Sequence, residues 1–133
     1  MSEPIVSVDS SDIREGRVED LKAAMTRLVE FVRENEPRPI AYDVYIDEGG
    51  TTVTVVQVHP DSASMEFHMT VAAPEFSKFT ELLKLKTIDV YGSPSEDLLE
   101  QLRRKSQLLG STTLVLHQFH AGFNRFEPPD SSM

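Results

Sequence analysis

Valines on both faces of one short run constrain this chain most. From Thr51 to His59 the residues are largely β-branched, with Val53 and Val55 on one face of a strand and Val56 and Val58 on the other. Such a strand needs cover on both sides. Before it, Ile40, Tyr42, Val44 and Ile46 alternate with Ala41, Asp43, Tyr45 and Asp47, which gives a second strand with one apolar and one mixed face. Glu48, Gly49 and Gly50 join the two as a tight turn. Pro60 and Asp61 then stop the sheet, and Ser62 opens a helical turn carrying Met65, Phe67, His68 and Met69.

The flanks supply the remaining elements. Ile5, Val6 and Val8 predict a short first strand, ended by the turn-like run Asp9, Ser10, Ser11, Asp12. A helix follows in which Val18, Leu21, Met25, Leu28 and Val32 recur at three- and four-residue steps, and Pro37 and Pro39 close it. Pro74 restarts a helical piece with Phe76, Phe79 and Leu83 on one face, either separate from the turn bearing His68 or a kinked continuation of it. Thr87 to Tyr91 predicts a fourth strand ending at Gly92. Ser93, Pro94, Ser95 and Glu96 form a capping box with proline at the first helical position, and the helix it opens carries Leu98, Leu99, Leu102 and Leu109 inward until Gly110. Thr112 to His120 predicts a fifth strand, apolar on both faces.

The order strand, helix, strand, strand, helix, strand is an α+β, ferredoxin-like split βαβ arrangement, here with an extra C-terminal helix and strand. The expected organisation is one domain over residues 1–126, with a core at 5–91, an added helix and strand at 93–120, and a disordered tail at 127–133. A sheet of this kind has helices on one face only. A second copy packed sheet to sheet, a homodimer, is the expected cover for the other. The alternative is a monomer whose added helix lies over that face.

Charge and composition exclude several classes. Thirteen Lys and Arg stand against 22 Asp and Glu, a net charge of −9 that repels a phosphate backbone, so no nucleic-acid partner is expected. The one basic cluster, Arg103, Arg104 and Lys105, follows Glu96, Asp97 and Glu100 and complements the dipole of its own helix. The absence of cysteine removes disulfides, thiolate metal sites and a cysteine nucleophile. No secretory pattern opens the sequence and no apolar run is long enough to span a membrane, so a cytoplasmic protein without a membrane partner is expected.

The sequence resembles the antibiotic biosynthesis monooxygenase family of dimeric α+β barrels. The matching pieces lie within residues 5–91: the first strand followed by Ile13-Arg14-Glu15-Gly16-Arg17, the strand pair after Glu36-Pro37, and the run Ser62-Ala63-Ser64-Met65-Glu66-Phe67-His68. That run is similar to the family's small-residue, phenylalanine, acid and histidine pattern after the third strand. The resemblance implies a pocket between sheet and helices in each subunit. Family members include cofactor-independent monooxygenases of quinols or polycyclic aromatics, haem-degrading enzymes, isomerases and proteins without known activity. The haem-degrading pattern includes a tryptophan, and this chain has none. The added helix and strand, Ser93 to Phe119, fall outside the family pattern and are placed to roof or obstruct the pocket.

His68 is the candidate catalytic base, a neutral imidazole able to take a proton from a phenol or hydroquinone so that the anion reacts directly with dioxygen, with neither metal nor other cofactor. The opposing reading makes it a structural residue bonded to a backbone carbonyl. Tyr42, His59, Phe67, Phe76, Phe79 and His117 are the candidate ligand-binding residues around a small aromatic substrate. A metal site is not expected, because His117 and His120, three apart on a strand, point to opposite faces. The function expected is a cofactor-independent monooxygenase of a small aromatic or quinol-like substrate. The alternative is a non-catalytic dimeric module whose pocket is packed by Phe76, Phe79 or the added elements.

Overall fold

The structure, a computed structural model, describes residues 3–110 and 112–126. Five strands, β1 (Ile5–Ile13), β2 (Ala41–Ile46), β3 (Thr52–His59), β4 (Leu83–Tyr91) and β5 (Thr113–His117), form one sheet in the order β2-β3-β1-β4-β5. All neighbours are antiparallel except β4 and β5, which run parallel. The helices are α1 (Val18–Asn35), α2 (Ser62–Phe76) and α3 (Glu96–Leu109), with a 3₁₀ turn at Ser77–Phe79. The α+β, ferredoxin-like arrangement with an added helix and strand is therefore the observed fold.

Several boundaries differ from the sequence expectation. β1 does not stop at Asp9 but continues to Ile13, because this central strand is paired on both sides and tertiary pairing overrides the turn propensity of Asp9 to Asp12. β4 starts at Leu83, not Thr87. Ser10 pairs with Thr87 and Ser11 with Leu85, so Lys86 is the extra residue of a β-bulge, and the inward positions switch from Leu83 and Leu85 to Ile88 and Val90. The segment from Ser62 is one helix that accommodates Pro74 in its last turn. Ser95, not Ser93, caps α3: its Oγ accepts the Leu98 N–H at 3.1 Å, and Pro94 lies before the helix. β5 ends at His117, leaving Phe119 and His120 outside the strand. The tail expected at 127–133 lies outside the described residues.

The core lies between the sheet and the helices. Leu21, Met25, Leu28 and Val32 of α1, Met65, Met69 and Phe76 of α2, and Leu98, Leu102 and Leu109 of α3 all face the inward side chains of β1, β3 and β4. α3 packs against α2 and β4 on this side, so the added helix does not cover the open face of the sheet. That face presents Val6, Val8, Val56 and Val58, partly buried, together with Tyr45, Tyr91 and Val115, which are exposed.

Gly92 fixes the turn out of β4. Its φ is +124°, its N–H bonds to the His117 carbonyl at 2.9 Å, and an added Cβ would meet the Pro4 carbonyl oxygen at 2.8 Å. Gly92→Ala is expected to cost about 2 kcal/mol through backbone strain and this clash. Urea unfolding reads the change, and a midpoint matching wild type would show that the turn relaxes freely.

Candidate functional site

Polar and charged side chains sit where the packing stripes call for apolar ones. Glu36 is the C-cap of α1, its backbone N–H still bonded to the Val32 carbonyl, and its side chain turns inward to full burial as the chain enters Pro37. There both carboxylate oxygens lie 2.9 Å from Nδ1 of His68, itself fully buried on α2. A carboxylate accepts, so Nδ1 of His68 donates its N–H to Glu36. Nε2 has no hydrogen-bond partner among the described residues. The partner of His68 is thus a side-chain carboxylate, not the backbone carbonyl of the structural alternative.

Tyr42, on the inward face of β2, lies with its ring centroid 5.2 Å from that of His68, and Phe76 meets the imidazole edge-on at 6.0 Å. Burial first, then the carboxylates of Asp9 and Glu36, push the Tyr42 phenol well above its ordinary range, so it stays a hydrogen-bond donor. His59 is 5.9 Å from His68, ring to ring. Its Nε2 donates to Gln57 Oε1 at 3.0 Å and its Nδ1 accepts from Ser64 Oγ at 2.8 Å, which fixes a neutral tautomer.

Burial, followed by the electrostatic influence of the neighbouring His68, pushes His59 from 6.5 down to about 3. Between these values the unfolded chain binds a proton that the folded chain excludes. The stabilising contribution is therefore complete above pH 6.5 and is lost on acidification towards 3, by at most about 1.4 kcal/mol per pH unit. His59→Asn is expected to flatten the loss of stability between pH 7 and 4 relative to wild type. Equal slopes in urea titrations of the two proteins would show that His59 is not held neutral.

A second buried pair comes from the added helix. Lys105 of α3 reaches Asp9 of β1 at 3.0 Å, with both side chains more than nine-tenths buried, and its Nζ lies 4.8 Å over the Phe76 ring. Lys105 therefore leaves the surface cluster expected from sequence, while Arg103 and Arg104 stay outside and pair with Glu100. Beside the Asp9–Lys105 pair is a space of about 30 Å³, walled by apolar side chains including Met25, Val55, Phe79 and Leu85 and by the polar groups of Asp9, Ser11, Tyr42 and Lys105. On the other side of Tyr42, an open groove of about 560 Å³ runs between the end of α1 and β2, with Glu36 and Tyr42 in its wall.

Of the residues chosen from sequence, the fold brings His59, His68, Tyr42, Phe76 and Phe79 into this interior. Two others are elsewhere. Phe67 is half exposed on the outer side of α2, because it precedes the inward-facing His68 by one helical step. His117 projects from the open face of the sheet, where it bonds Asp89 at 2.8 Å and stacks on Tyr91 at 4.3 Å, so it cannot join His68. Among the described residues, no group of three or more His, Asp or Glu is placed to hold a metal ion, and no helix is long and apolar enough to cross a membrane.

The comparisons place the chain in a structural class by its fold: it has the fold of the antibiotic biosynthesis monooxygenases. No protein-family profile matches the sequence, and no curated protein matches it. Among solved structures, MupZ from Pseudomonas fluorescens is similar over 94% of this chain and 91% of its own, with a TM-score of 0.73 and 19% identity. A match of that extent takes in the added helix and strand. SnoaB, a cofactor-independent oxygenase from Streptomyces nogalater, is similar over 71% of this chain and 96% of its own, with a TM-score of 0.60 and 9% identity. A candidate antibiotic biosynthesis monooxygenase from Deinococcus radiodurans covers 68% of this chain and 93% of its own, with a TM-score of 0.58 and 14% identity. At such identities the likeness is one of fold.

Proposed function

We propose that the chain is a cofactor-independent oxygenase of a small aromatic or quinol-like substrate, acting as a homodimer packed through its open sheet faces, with His68 as the base. The observation that supports it is the Glu36–His68 pair, in which a buried carboxylate orients the imidazole and leaves Nε2 without a partner beside Tyr42. His68 lines neither the α1–β2 groove nor the smaller space; on this reading Tyr42, in the groove wall with its ring 5.2 Å from that of His68, must turn aside for a substrate in the groove to reach Nε2. His68 then takes the substrate proton, and the electron-rich anion reacts with dioxygen. The partly buried valines of the uncovered face support the dimer, since a second copy removes them from water.

The closed interior favours a second reading. Phe76, Phe79, Leu109 and Lys105 leave only about 30 Å³ beside Tyr42, as expected of a non-catalytic module whose pocket is filled. Oxygen-uptake measurements over a panel of hydroquinones separate the two. The oxygenase reading expects uptake by wild type and its loss in His68→Asn, whose amide N–H keeps the bond to Glu36 while removing the base. Neither binding nor uptake with any hydroquinone would leave the module.

A further inference from the structure

We propose that the space of about 30 Å³ beside the Asp9–Lys105 pair is a site for one water molecule, which ties the Tyr42 hydroxyl to Lys105 and makes that lysine a positioning residue for Tyr42. The site goes beyond the oxygenase reading and stands without it; only its consequence for substrate access rests on that reading. The volume suffices for one water, or at most two, and for no organic ligand. Four polar side chains line it: Asp9 and Ser11 of β1, Tyr42 of β2 and Lys105 of α3. Asp9, Ser11 and Lys105 are each more than nine-tenths buried.

Their hydrogen-bonding capacity is largely unused. Among the described residues, the Lys105 ammonium donates to Asp9 Oδ2 alone, and no side-chain bond engages Asp9 Oδ1 or the hydroxyls of Ser11 and Tyr42. An ammonium carries three N–H groups, and buried polar groups left without partners are costly. One water serves all four side chains. It accepts from Lys105 Nζ and the Tyr42 hydroxyl and donates to Asp9 Oδ1 and Ser11 Oγ. Burial first, then the carboxylates of Asp9 and Glu36, keep the phenol protonated, the state that can donate. An anion here would meet the Asp9 carboxylate and a cation the Lys105 ammonium, so a neutral ligand suits the site.

Tyr42 also stands in the wall of the α1–β2 groove, with its ring 5.2 Å from that of His68. Its bond to the inner water holds the phenol towards α3, and Tyr42 cannot turn aside without breaking that bond. α3 supplies no residue to the groove wall, yet it acts on the groove through Lys105 and the water.

A crystal structure of the full chain, at a resolution that shows ordered solvent, is expected to place one water within hydrogen-bond distance of Lys105 Nζ and Tyr42 Oη. Acylation by diethyl pyrocarbonate, located by peptide mass spectrometry, reports the turning of Tyr42, which the reagent must pass to reach His68 Nε2. His59, with both ring nitrogens bonded, reacts only through wider unfolding and serves as the internal reference. Tyr42→Phe keeps the ring and removes the bond. It is expected to raise the His68 rate about fivefold relative to His59, the factor that one net hydrogen bond supplies. Asp9→Val with Lys105→Met, which strands no charge, is expected to do the same and to displace the water. If that double variant speeds both histidines equally, Lys105 is merely structural and the positioning role is overturned. A wild-type crystal without ordered water in the space would overturn the site, as would an unchanged His68 to His59 ratio in Tyr42→Phe. No hydroquinone enters these measurements, so failure of the oxygenase reading leaves them to decide the water site by themselves.

Discussion

His68→Ala is expected to lower the unfolding free energy by about 3–5 kcal/mol, because it leaves the Glu36 carboxylate buried without a partner. Glu36→Ala is expected to cost less, about 1–3 kcal/mol for the stranded Nδ1–H, with a further loss from the void. The asymmetry follows from what remains: a buried carboxylate in one case, and in the other an imidazole, which is uncharged with a single ring proton. Glu36→Gln, whose amide oxygen still accepts from Nδ1, should fall closest to wild type. Denaturant titrations of the three variants give the order directly. A cost for His68→Ala below that of Glu36→Ala would mean that Glu36 is not ionised in the folded protein.

Lys105→Ala carries the second large effect, again about 3–5 kcal/mol, since it strands Asp9 in the core and removes the cation from the Phe76 ring. Replacing both partners by apolar residues, Asp9→Val with Lys105→Met, is expected to recover most of that loss, because valine suits a central strand and methionine follows the lysine stem. The double-mutant cycle isolates the coupling. If the double variant is no more stable than Lys105→Ala alone, the pair is held by packing and not by its charges.

These residues show how far the sequence was legible. Periodicity located every helix, and the β-branched run at β3 was read with the correct faces. β1 was cut short because Asp9, Ser10, Ser11 and Asp12 are turn residues in isolation, and only pairing with strands some 40 to 80 positions away makes them a strand. β4 was cut short because Leu83 stands at helical spacing from Phe76 and Phe79 and reads with them as one face, whereas it opens the strand. The bulge at Lys86 then breaks the alternation that would have joined Leu83 and Leu85 to Ile88 and Val90. His68 stood out as an imidazole in an apolar helix. Its partner did not, although a signal was present: Glu36 continues the four-residue step from Leu28 through Val32, and Lys105 falls between Leu102 and Leu109 on the stripe that begins at Leu98. A charged side chain at a core position announces a buried partner without saying which residue it is. Tertiary structure alone brings Asp9 to Lys105, 96 positions apart.

The central place of β1 also bears on how the chain is made. Ile5 pairs with His59, and Val6 pairs with both Val58 and Tyr91, so β1, synthesised before its partners, lacks one neighbour until β3 has emerged and the other until β4 has followed. Contacts of such long sequence separation slow folding, because a large loop must close before any pairing rewards it. α1 can form as soon as it is synthesised, whereas β1 gains both of its neighbours, and Glu36 the sheet-bound setting in which it meets His68, only once β4 has followed β3.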